Sequence, residues 1–202
     1  VLDPFWYTTR KPTREDRRGW DWTLGPEQYR WLQTTLEANT KPFTFVFIHH
    51  LVGGVPSEAR GGIEAADRYE WGGRNTDGTD GWAANRPGWS APIHQLLLPN
   101  LVTAVFHGHD HVYVHQELDG IAYQETPQPS TTNYRSERLA AEYGYVSGDV
   151  RSSSGHLTVT VAPDRAVVRY IRAYRPVDEG PGQRNGSVDD TYTLVTRPRS
   201  AS

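Results

Sequence analysis

The sequence contains no cysteine and no methionine, and of its 21 basic residues only Lys11 and Lys41 are lysine. Without cysteine there are no disulfides, thiolate metal sites or cysteine nucleophiles. The redox compartment stays open, and a soluble chain in a secreted or periplasmic setting is compatible with that lack. Without methionine, the numbered chain starts somewhere other than a translation start. Its opening, Val1-Leu2-Asp3-Pro4, carries no charged segment followed by an apolar one, as a leader would. The expectation is a C-terminal piece of something longer. No run approaches the ~18 consecutive apolar residues of a membrane span. The formal charge is −3 and the arginines are scattered, so no basic stripe suggests nucleic-acid binding.

What is present suits one packed unit. The 202 residues fall within the range of a single domain, and 36% of them are hydrophobic. One domain over 1–202 is expected. Gly25-Pro26-Glu27-Gln28, followed by Tyr29, Leu32 and Leu36 at helical spacing, predicts a helix over about 26–38. The run 43–48 (Phe43-Thr44-Phe45-Val46-Phe47-Ile48) predicts a strand buried on both faces, ending at His49-His50. Residues 51–90 read as a long irregular insertion, ordered by Trp71, Trp82 and Trp89, with a weak helical pattern over 63–70. A short helix from Pro92 to Leu98 leads to a second strand, 101–106, which ends at His107-Gly108-His109-Asp110-His111. Residues 112–126 alternate around the turn signal Asp119-Gly120. A second hairpin is expected from 157–161 and 166–170 around the turn Pro163-Asp164, then a linker over 176–188 and a last strand over 191–195. Helix then strand, twice, predicts a layered α/β sheet followed by antiparallel hairpins.

Six of the eight histidines lie in two places, His49 and His50, and His107, His109, His111 and His115. In open α/β sheets the ligand site lies beyond the carboxyl ends of the strands, where both groups would sit. Neutral imidazole is a frequent ligand of zinc, iron and related metals. A single histidine at a strand end is ordinarily just a hydrogen-bonded residue, but two clusters at successive strand ends point to a metal. On an extended chain the rings of His109 and His111 would project to one side and grip one metal or a pair, with His49 adding a third nitrogen. His107 would point the other way and serve the structure. His115 would pack or face solvent. Arg60, Arg74 and Arg86, in the insertion after His49, are candidates to grip a phosphate in bidentate fashion. The run 123–129 is distinctive without an evident mechanism.

Phe106-His107-Gly108-His109-Asp110-His111 resembles the G-H-x-H motif of the calcineurin-like metallophosphoesterases, which include purple acid phosphatases and cyclic-nucleotide phosphodiesterases. Phe47-Ile48-His49-His50 looks like that family's preceding histidine motif. The Leu-Gly-Pro-Glu-Gln helix and the Asp-Gly hairpin also sit where the family has them. The resemblance implies the C-terminal half of a layered α/β/β/α sandwich that hydrolyses phosphate mono- or diesters, and conceivably triesters, with two divalent metals (zinc, manganese or iron). His49 and His109 would bind the second metal, His111 the first, and His50 would contact a substrate oxygen. Two metals clamp a phosphoryl group and activate a water, so no protein nucleophile is required.

The family's D-x-H, G-D-x-x-D and G-N-H motifs do not occur, and Gly148-Asp149 lacks the second aspartate. The site would therefore be completed by a companion polypeptide pairing with an exposed sheet edge, or by a second copy of this chain. The alternatives are a metal-binding subunit without catalysis, or a hydrolase of esters with one zinc on three imidazoles.

Overall fold

A computed structural model describes residues 1–10, 19–54 and 59–196. The chain is a mixed α/β structure with a five-stranded mixed sheet and a three-stranded antiparallel sheet. Helix α1 (Gly25–Glu37) is close to its predicted span. Pro26 fits the first turn, where its missing N–H costs nothing, and Tyr29, Leu32 and Leu36 form the buried face. The first sheet contains β1 (Phe45–Phe47), β2 (Ala104–His107), β3 (Tyr113–Leu118), β4 (Ile121–Glu125) and β5 (Asp149–Arg151), in the order β1-β2-β4-β3-β5. β1, β2 and β4 are parallel, and β3 is antiparallel to β4 and β5. The second sheet is an antiparallel meander of β6 (Gly155–Val161), β7 (Arg165–Arg172) and β8 (Val188–Val195).

Alternation along β1, β2 and β4 sorts two of the cores. Val46, Val105, Ile121 and Tyr123 join Leu32, Leu36 and Trp71 in a core on the helical side. Ala104, Phe106 and Ala122 pack on Val168 of β7, with Leu157, Tyr192 and Leu194 around them. That second core lies between the two sheets.

β1 departs from expectation. It is an edge strand rather than one buried on both faces, and Phe47 is 44% exposed. Among the described residues, only the Leu2 backbone bonds to its outer margin, donating its N–H to the Phe47 carbonyl at 2.7 Å. β5 was not foreseen, because three residues after Gly148 carry too short a pattern. In the insertion, the weak helical segment splits into a 3-10 turn (Ile63–Ala65) and α2 (Tyr69–Gly72), followed by α3 (Trp82–Asn85). Helix α4 (Ile93–Leu97) then leads into β2. Part of the predicted 176–188 linker is a 3-10 turn, Pro176–Asp178. No described helix is long and apolar enough to cross a membrane.

Candidate metal centre

The parallel pairing of β1 and β2 brings both histidine motifs to one end of the sheet. Their ladder continues past the strands: Ile48 donates its N–H to Phe106 at 3.0 Å, and Gly108 donates to His49 at 2.8 Å. His49 Nε2 lies 3.1 Å from His109 Nδ1, the rings crossing at 77°. Burial lowers the pKa of His49, and the neighbouring His109 and His111 lower it further. Both effects favour the neutral, ligand-competent ring.

His50 completes a triangle of rings, centred 5.7 Å from His49 and 5.6 Å from His109. It is 1% exposed and packs against Trp22 and Phe5. Its Nδ1 faces the Leu51 carbonyl at 3.1 Å, so Nδ1 carries the proton and Nε2 presents a lone pair. That Nε2 is buried without a hydrogen-bond partner. Burial pushes the pKa of His50 down to about 3, so it is neutral across the physiological range.

The segment bearing His109 and His111 is not extended. Both residues have positive φ, 93° and 59°, so it forms a turn. Alternation therefore does not place their rings on one side, contrary to the reading of an extended chain. His111 is exposed, and Ser153 donates its hydroxyl to the His111 carbonyl at 2.6 Å. Among the described residues no group of three His, Cys, Asp or Glu side chains is placed to hold a metal ion.

Behind this turn lies a buried polar network. Glu125, opposite His107 in the β2–β4 register, accepts the Asp110 N–H through Oε1 at 2.9 Å. Its Oε2 is 2.8 Å from His107 Nδ1. The Asp110 carboxylate receives Arg60 Nη1 at 2.9 Å, the Gly61 N–H at 2.8 Å and the Tyr145 hydroxyl at 2.9 Å. Burial, then the Asp110 charge, raises the pKa of Glu125 well above the carboxylate range. Burial also lowers that of His107 to about 4. Sequence reading missed Glu125 within the unexplained run 123–129. The available signal was an acidic residue ending an otherwise neutral strand.

The three arginines diverge. Arg60 pairs with Asp110 and lies over the Tyr143 ring at 4.0 Å. Arg86 pairs with buried Glu70 at 2.5 Å and donates to the carbonyls of Trp20, Trp22 and Asn85. Four of its five N–H donors are engaged, so it braces the insertion. Arg74 has an exposed side chain, while its backbone bridges Arg68 and Asp80. His115 stacks on Tyr192, with ring centres 3.6 Å apart.

No protein-family model matches the sequence, and no curated protein matches it. Among the solved structures that match it are two at low identity. GAP50, the anchor in the inner membrane complex of Plasmodium, aligns at 13% identity over 98% of this chain and 49% of its own, with a TM-score of 0.54. Purple acid phosphatase PPD1 from yellow lupin (Lupinus luteus) seeds aligns at 14% identity over 85% of this chain and 28% of its own, with a TM-score of 0.47. The first likeness shows a shared fold alone, and the second is too distant to carry an argument. The chain spans about half of the first neighbour and under a third of the second.

Proposed function

We propose that this chain is the histidine-bearing part of a metal-dependent phosphoester hydrolase acting on phosphate mono- or diesters. The observation that carries this reading is the meeting of His49 and His109, from two motifs far apart in sequence, at 3.1 Å. Two nitrogens bound to one tetrahedral zinc at about 2.0–2.1 Å would stand roughly 3.4 Å apart. The pair therefore fits two positions on one metal. A dinuclear centre does not fit the described residues alone, and the remaining ligands would come from a second polypeptide or from chain beyond this one.

A divalent zinc, manganese or iron at the pair supplies Lewis acidity toward a phosphoryl group. The chain's own groups would do the following. His49 and His109 hold the metal, with His111 on the same turn as a further candidate. His50, neutral and buried, would accept a hydrogen bond at Nε2 from a substrate hydroxyl or a water only where that nitrogen is uncovered on binding. Arg74 is the arginine of the three whose side chain is exposed and suited to a substrate phosphate, whereas Arg86 is committed to Glu70.

The test uses material as isolated. Intact-mass analysis reports a companion chain, metal analysis gives ions per chain, and an aryl phosphodiester is hydrolysed before and after chelation. Chelator-sensitive turnover supports the proposal. Metal-free material without turnover, even with its companion present, overturns it. A second reading is a metal-binding subunit without catalysis, favoured by the fact that, among the described residues, no group of three potential ligands is placed to hold a metal. Bound metal without turnover selects it, whereas one zinc with carboxylester activity selects a mononuclear hydrolase.

A further inference from the structure

The turn bearing His109 and His111 is one that side chains with a Cβ rarely adopt. Two residues at positive φ, neither of them glycine, occur within three positions. Such strain, a cost of order kilocalories, persists only where the surroundings over-determine it. Asp110, between the two, supplies that determination from both backbone and side chain. Its N–H ends on Glu125, and its carboxylate ends on Arg60, the Gly61 N–H and Tyr145. Glu125 is fully buried on β4, directly opposite His107, so the acceptor that captures the turn is fixed to the sheet rather than to a loop.

We propose that Glu125 is a positioning residue whose buried carboxyl, through the Asp110 N–H, locks the turn that aims the His109 ring at His49. The role rests on the proposed metal-site reading only for its purpose, since the locking itself is a property of this chain without any metal. Outer partners of this kind commonly change metal affinity 10–100-fold when removed. Glutamine in place of Glu125 would keep an acceptor at Oε1 and offer an N–H toward His107 Nδ1. Leucine would fill the site with an apolar side chain and offer neither.

The test is NMR on the metal-free protein, with the wild type, Glu125→Gln and Glu125→Leu. In the wild type, the Asp110 amide is protected from solvent exchange, and the His49 and His109 rings show a mutual NOE. Glu125→Gln retains both. Glu125→Leu loses the NOE and accelerates Asp110 exchange on the order of tenfold or more, the factor of one lost buried hydrogen bond. A merely structural role would lower stability without moving the ring contact. A folded Glu125→Leu protein that keeps the NOE overturns the proposal. So does an Asp110 amide in the wild type that exchanges as freely as an exposed one, whether or not the leucine variant folds. Failure to bind metal or turn over phosphodiesters, with these NMR results intact, would sink the function and leave the positioning role standing.

Discussion

At the scale of single residues, burial decides what each ionisable group can do. Glu70 has no exposure, and burial raises its carboxyl pKa even though Arg86 pulls the other way. The guanidinium is nearly as enclosed, and it also reaches the Trp20 and Trp22 carbonyls. Removing one partner of a buried pair costs about 3–5 kcal/mol, because the other is left uncompensated. Arg86→Ala should therefore lower unfolding stability by about 3 kcal/mol, the low end, since Glu70 can take up a proton. Urea denaturation measures it, and a loss under about 1 kcal/mol would contradict the assignment. His50 illustrates the same logic without a charge: its proton is placed by one backbone carbonyl, and the other nitrogen is left as a lone pair.

At the scale of elements, local chemistry and tertiary chemistry part company. Helix α1, the β3–β4 hairpin and the β6–β7 hairpin were legible because each carries its own instruction: Pro26 and a spaced apolar face, Asp119-Gly120, Pro163-Asp164. Asp119 and Gly120 have φ of 53° and 74°, as a two-residue hairpin turn demands. Gly120→Ala should cost about 1–2 kcal/mol, the penalty of a Cβ in the left-handed region, read as a lowered urea midpoint with an unchanged denaturant slope. An unchanged midpoint would show that this turn does not set the hairpin. The conformation of the His109–His111 turn was not legible. Nothing local asks for positive φ at a histidine, and the groups that impose it arrive from β4, the insertion and Tyr145. The edge position of β1 was hidden for a similar reason, since a run of apolar residues does not say how many strands flank it. Arg60 and Arg86 looked like free cations until Asp110 and Glu70 were seen opposite them.

At the scale of the whole molecule, two sheets share one core, and the histidine motifs gather at the carboxyl ends of β1 and β2. The candidate site lies beside the edge of the first sheet, where Phe47 stays 44% exposed and, among the described residues, only the Leu2 backbone bonds to the outer side of β1. An incomplete ligand set beside a thinly covered edge is what the proposed function requires, and it is why completion from outside the described residues is part of that proposal. Zinc titration followed by calorimetry, on material as isolated with its companion chain retained, as the wild type and as His49→Ala and His109→Ala, tests the shared metal locus most directly. The account predicts zinc binding by the wild type and affinity lowered at least about tenfold in each variant, with far-UV circular dichroism unchanged. Equal affinity in all three proteins, or no binding by the wild type, would contradict it.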